Sequence, residues 1–154
     1  MVSRSRAINI NASRLLDSAN AWSNCLARLE STTFEWLTTL KLVNVEDMLD
    51  HTHLNSIGKL RNLVGLHLLS SSSRSTILDD RLIKAWGHQA ANDHAFLNLR
   101  TLFFTGRFTL TEVCFSHLDK FPSLSLFGLQ PWYRNTVESK YPSNYSPTWS
   151  TVNM

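Results

Sequence analysis

Six histidines and two cysteines are the residues of this 154-residue chain best equipped for chemistry, and their spacing limits what they can do. His51 and His53 stand two apart in VEDMLDHTHLN, with Asp47 and Asp50 close by. A zinc centre needs three or four ligands in a fixed shell. No third His or Cys stands at a helpful spacing, so a solvated turn without metal is expected there. Cys114 and His117 lie one helical turn apart, where a thiol and an imidazole could act as nucleophile and base. That chemistry also needs an orienting third group and an oxyanion site, and VCFSHL offers neither. Cys114 instead fills an apolar helix position, where cysteine behaves as a small hydrophobe. The five glycines form neither GxGxxG nor GxxxxGK, so no phosphate-cradling loop is expected. No catalytic group, cofactor or metal emerges, and the chain is read as a non-enzyme.

Charge narrows the classes further. The formal net charge is +3, and Arg4, Arg6 and Arg14 fall in the first fourteen positions, which contain no acid. The rest of the chain is balanced. A basic start on a neutral body differs from the dense Lys/Arg face of a nucleic-acid binder. No apolar run approaches the roughly 18 residues of a membrane span. MVSRSRAINI lacks the apolar core of a secretory signal, although its Arg/Ser-rich, acid-free lead leaves a transit peptide as a minor reading. Cys25 and Cys114 lie far apart without CxxC spacing, which suits reduced thiols in a cytoplasmic or nuclear protein. The sequons at Asn11 and Asn144 carry meaning only in a secreted chain. Ser70–Ser73 beside Arg74 reads as an exposed loop that a kinase could modify.

The elements that would position any site come from a recurring spacing. FLNLRTLFF places Phe96, Leu99, Leu102 and Phe104 three, three and two apart. FEWLTTLKL repeats this with Phe34, Leu37, Leu40 and Leu42; LRNLVGLHL with Leu60, Leu63, Leu66 and Leu68; FPSLSLFGL with Phe121, Leu124, Phe127 and Leu129. The third slots lie 26, 36 and 25 residues apart. Two of these gaps fall in the 20–29 range of the leucine-rich repeat. Each unit turns from a loop into a short strand, and only the last two slots alternate as a strand must.

The intervening segments supply an outer wall. Residues 45–60 read as a short helix or turn. LDDRLIKAWGHQAANDHAF sets Leu82, Ile83, Trp86 and Ala90 at helical spacing behind Asp79 and Asp80. TLTEVCFSHLDKF offers Thr109 or Thr111 as a cap, then Val113, Cys114 and Leu118. Leu15, Ala19, Trp22, Leu26 and Leu29 give residues 11–33 one apolar helical face, suited to covering the end of a repeat stack. Residues 1–10 are expected to be a flexible basic start, 34–130 four repeats, and 131–154 an irregular or disordered tail. The expected fold is α/β: a short irregular leucine-rich-repeat solenoid, parallel strands on one face, helices on the other, with an N-terminal helical cap.

Taken together, IGKLRNLVGLHL, DDRLIKAWGHQAANDHAFLNLRTLFF and LTEVCFSHLDKFPSLSLFGL resemble a group of fungal leucine-rich-repeat proteins of F-box type. The resemblance spans about residues 34–130. It implies substrate recruitment to a ubiquitin ligase, the F-box holding the ligase adaptor and the repeats holding the substrate. The sequence departs from that plan in two places. Only about 33 residues precede the repeats, without a legible F-box, and Val45, Ser71, Arg107 and Trp132 fill the position where repeats carry Asn or Cys.

In such a stack the residues between the leucines form the concave face. The partner-binding residues expected there are Lys41, His67, Leu69, Thr101, Phe103, Thr105 and Leu126. Leu69, Phe103 and Leu126 are unusually apolar for a solvent face and mark a protein-binding patch, with Phe103 as aromatic anchor. The competing reading is that the tail folds over this patch through Trp132, Tyr133 or Trp149. Non-catalytic protein binding is the function expected. A truncated repeat fragment without independent activity, or a weak nucleic-acid module using Arg4, Arg6 and Arg14, are the alternatives.

Overall fold

The structure is a computed structural model that describes residues 6–11, 24, 37–43, 51–70, 78–131 and 150–153. Six short strands follow one another: β1 (Arg6–Asn11), β2 (Leu37–Val43), β3 (Gly65–Ser70), β4 (Thr101–Gly106), β5 (Leu126–Pro131) and β6 (Ser150–Asn153). They form one open sheet whose spatial order is the chain order, and every neighbouring pair is parallel. Parallel neighbours require a crossover. Among the described residues, three of the crossovers carry helices with given bounds: α1 (His51–Asn55), continued by a 3-10 turn over Ser56–Lys59, then α2 (Asp80–Asn92) and α3 (Val113–Leu118).

The quartets explain why the strands stack. Leu40, Leu66, Leu102 and Phe127 are register partners on adjacent strands, as are Leu42, Leu68, Phe104 and Leu129. Fifteen of the sixteen quartet positions are described, and all are buried, none more than 6% exposed. Phe34 lies outside the described residues. The helices close this apolar face. Trp86 of α2 packs against Phe104 at 6.5 Å and Phe96 at 5.2 Å between ring centroids, and Phe104 meets Phe127 edge-on at 5.7 Å. The Trp86 indole N–H donates to the Leu54 carbonyl at 3.3 Å, which ties α2 to α1.

Local chemistry sets the helix starts. Asp79 stands in extended backbone and its Oδ1 accepts from the Leu82 N–H at 3.1 Å, a side-chain N-cap. The same carboxylate meets His51 Nε2 at 3.1 Å and Arg81 Nε at 2.9 Å. Asp80 accepts from the Thr111 N–H at 2.9 Å, and Thr111 Oγ1 in turn accepts from Val113 N–H at the start of α3. The N-cap of α3 is Glu112, whose side chain makes no cap bond, so Thr111 supports the helix from one residue further out, while Thr109 makes an isolated bridge with Asp79.

Several expectations need correction. The start is not a flexible segment over 1–10: Ile8 and Ile10 pair with Leu40 and Leu42, so Arg6–Asn11 is a strand. The tail 131–154 is not irregular throughout, because Ser150–Asn153 pairs with Leu126–Leu129. The parallel sheet therefore extends one strand beyond the four quartets at each end. Of the two readings of residues 45–60, a short helix is found over His51–Asn55, where Leu54 is fully buried and His51 reaches the α2 cap; only the solvated turn expected at His51 and His53 is corrected. Val113 points outward, 56% exposed, and Phe115 takes its place in the core. The cap over 11–33 lies outside the described residues except for Asn11, which is in β1, and Asn24, which is helical. Among the described residues, no helix is long and apolar enough to cross a membrane.

Candidate functional site

Alternation along each strand sends one set of residues into the leucine-lined core and the other to the opposite face of the sheet. Register arranges that second set in three rows. The first is Thr39, Gly65, Thr101 and Leu126; the second Lys41, His67, Phe103 and Gly128; the third Val43, Leu69, Thr105 and Gln130. The structure thus brings the whole expected binding set onto one face. Lys41, His67, Leu69, Thr101, Phe103 and Leu126 are half-buried on it. Thr105 is the exception at 7% exposure, because its hydroxyl is turned into a 2.7 Å hydrogen bond with His67 Nε2. It supports the surface rather than presenting a contact. β1 adds Asn9, exposed and opposite Lys41, which sequence reasoning had left in the flexible start.

Phe103 is the most defined feature of this face. A Cβ placed on Gly128 would come within 2.2 Å of two Phe103 ring carbons. The ring therefore lies down across the neighbouring strand in a slot that only glycine leaves open. Its other flank meets the His67 ring, edge to face, at 6.1 Å. The space above Gly128 is taken up by the Phe103 ring. The signal was available in the sequence, a glycine one register step from a phenylalanine, but it points to a ring laid flat only once the strands are paired. A smaller version recurs at Gly65, where a Cβ would stand 3.1 Å from Thr101 Oγ1 and 3.5 Å from Thr39.

The electrostatics of the face are simple. Burial, followed by the nearby Lys41 ammonium, holds His67 below its ordinary pKa. His67 is therefore neutral at pH 7, and its Nε2 shares one proton-bearing contact with Thr105.

The other candidate groups do not assemble. Cys114 is 1% exposed, and burial, then the Asp80 carboxylate, pushes its thiol up to about 12. A thiol so placed supplies almost no thiolate at neutral pH. His117 is held below its ordinary pKa by desolvation first, then by Lys120, His88 and Lys84. Its ring faces His88 at 6.4 Å between centroids. His51 is engaged with the Asp79 carboxylate. Among the described residues, no three His, Cys, Asp or Glu side chains are grouped to hold a metal ion. Cys25, Arg4, Arg14, Ser71–Ser73, Trp132, Tyr133 and Trp149 lie outside the described residues.

Compared with known protein families, characterised proteins and solved structures, the chain matches none.

Proposed function

We propose that this chain is a short leucine-rich-repeat solenoid that binds a protein partner on the open face of its parallel sheet. The context is substrate recruitment of the kind that the F-box/LRR resemblance implies. The repeat reading is supported by the quartets, whose third and fourth slots pair slot for slot along four consecutive strands. One observation carries the binding reading. Phe103 lies half-buried in a row that no described residue covers, braced by His67 on one side and seated on Gly128 on the other. Aromatic side chains near the centre of a patch dominate binding energy. A ring already fixed in place also loses little rotamer freedom on association.

The test compares partners captured by the wild type, Phe103→Asp and Val113→Asp, with thermal melts confirming that all three fold. Val113 is exposed on the helical side and serves as the control. A dominant protein partner retained by Val113→Asp and lost by Phe103→Asp supports the reading. Identical partner sets for all three variants would overturn it. Gly128→Ala refines the test: it lifts the Phe103 ring without removing it, so it should weaken the same partner to an intermediate degree.

A further inference from the structure

Among the described residues, the carboxylates lie on one side of the sheet, while cations lie on both. The described carboxylates are Asp79, Asp80, Asp93, Glu112 and Asp119. Asp79 caps α2, Asp80 begins it and Asp93 follows it, while Glu112 and Asp119 flank α3. All five therefore belong to the helical layer. The described strands contain no carboxylate, yet the open face carries Lys41, and β4 is bracketed by the exposed Arg100 and Arg107.

Resting on the reading of the open face as a binding surface, we propose that its partner is an acidic protein segment. A carboxylate would meet Lys41 while an apolar side chain of the same segment rests on Phe103. Lys41 and Phe103 stand in one row, with His67 between them. Two strand spacings separate them, about 10 Å. The matching segment therefore presents its acid and its apolar group that far apart. Opposite potentials across an interface raise the association rate and suppress wrong partners. A basic segment would face the Lys41 ammonium, and no described strand offers it a carboxylate in return. A nucleic acid fits less well. Its binding depends on several phosphate contacts made by clustered cations, whereas these rows hold one lysine among threonines and apolar side chains.

The test uses three fluorescein-labelled probes with the full chain at low ionic strength. One is a peptide combining glutamates with leucines, one is the same peptide with lysines for glutamates, and one is a single-stranded oligonucleotide of matched charge. The acidic peptide is expected to bind at least tenfold more tightly than either other probe. Lys41→Glu should reverse the preference between the two peptides. Lys41→Met, which keeps the apolar stem, should lose most of the acidic peptide's advantage without disturbing the fold. Equal binding of both peptides, binding of neither, or an oligonucleotide bound as tightly as the acidic peptide would each overturn the proposal. Equal binding of both peptides that disappears in Phe103→Asp would leave the face as a binding surface while removing the acidic partner.

Discussion

The two faces of the sheet are built from the same short strands, yet they obey different rules. On the helix-covered face the two paired slots of β2 to β5 hold only Leu or Phe, and Leu40, Leu42, Leu68, Leu102, Phe104 and Phe127 are fully buried. On the open face the same strands carry Thr, Lys, Val, Gly, His, Leu, Phe and Gln, mostly half-buried. One face is interchangeable from strand to strand because each position must only fill the layer below the helices. The other differs from strand to strand, because it need not fill a common layer and is set instead by local contacts such as Phe103 over Gly128 and Thr105 against His67. Variation confined to one face of a regular scaffold is what a recognition surface needs.

That contrast sets an order of expected effects. Phe104→Ala strikes the covered face at its centre, where Trp86 and Phe127 both press on the ring. It should destabilise the protein by about 3–5 kcal/mol, read from denaturant unfolding. Gly106→Ala comes next. Gly106 has φ of +98°, and an added Cβ would stand 1.8 Å from the Ser70 carbonyl oxygen, which belongs to the adjacent strand. The left-handed backbone alone should cost about 1–3 kcal/mol, with the backbone collision added to it. Asp79→Ala removes the α2 cap and should cost about 1 kcal/mol, whereas Asp79→Asn should retain most of it. Phe103→Ala, on the open face, should lower the unfolding free energy by no more than about 0.5 kcal/mol while weakening the proposed partner complex strongly. A stability loss there as large as that of Phe104→Ala would erase the contrast between the faces.

The smallest effect is a pH dependence. His67 and His117 both resist protonation in the folded protein, chiefly because of burial. For His67, the neighbouring charge is Lys41 on β2, while Phe103 and Thr105 on β4 bring none. In the unfolded chain these imidazoles titrate near 6.5. Below that value the unfolded state binds protons that the folded state refuses, so stability is complete above it. It declines as the pH falls through the lowered folded-state values. Urea midpoints at pH 7.5 and pH 5.5 should therefore differ, the acidic one being lower, and His67→Gln should narrow the difference.

Much of the covered face was legible in advance because burial leaves a periodic trace. The three-three-two spacing identified buried positions and the strand register, and the helical spacing of Leu82, Ile83, Trp86 and Ala90 identified the run behind Asp79. The edges were harder to read. Ile8 and Ile10 fill only two of four slots, and β6 contains neither Leu nor Phe, since backbone pairing with a neighbour asks for no particular side chain. Phe96 shows a second limit. Its slot correctly marks it as buried, but its φ of +56° follows from the rings on either side, Trp86 at 5.2 Å and Phe121 at 5.4 Å. A bulky residue adopts that backbone only where packing compensates the strain.

By itself the sequence determined which side chains turn inward and which strand positions stand beside each other. Those follow from the aversion of Leu and Phe to water, repeated at fixed intervals. Only the tertiary structure decided what the outward side chains do: that Phe103 lies flat over Gly128, that Thr105 turns in to hold His67, and that the described carboxylates gather on the helical side. Such arrangements depend on neighbours contributed by strands some 25 to 38 residues away, and no local pattern encodes a contact that exists only after those strands have paired.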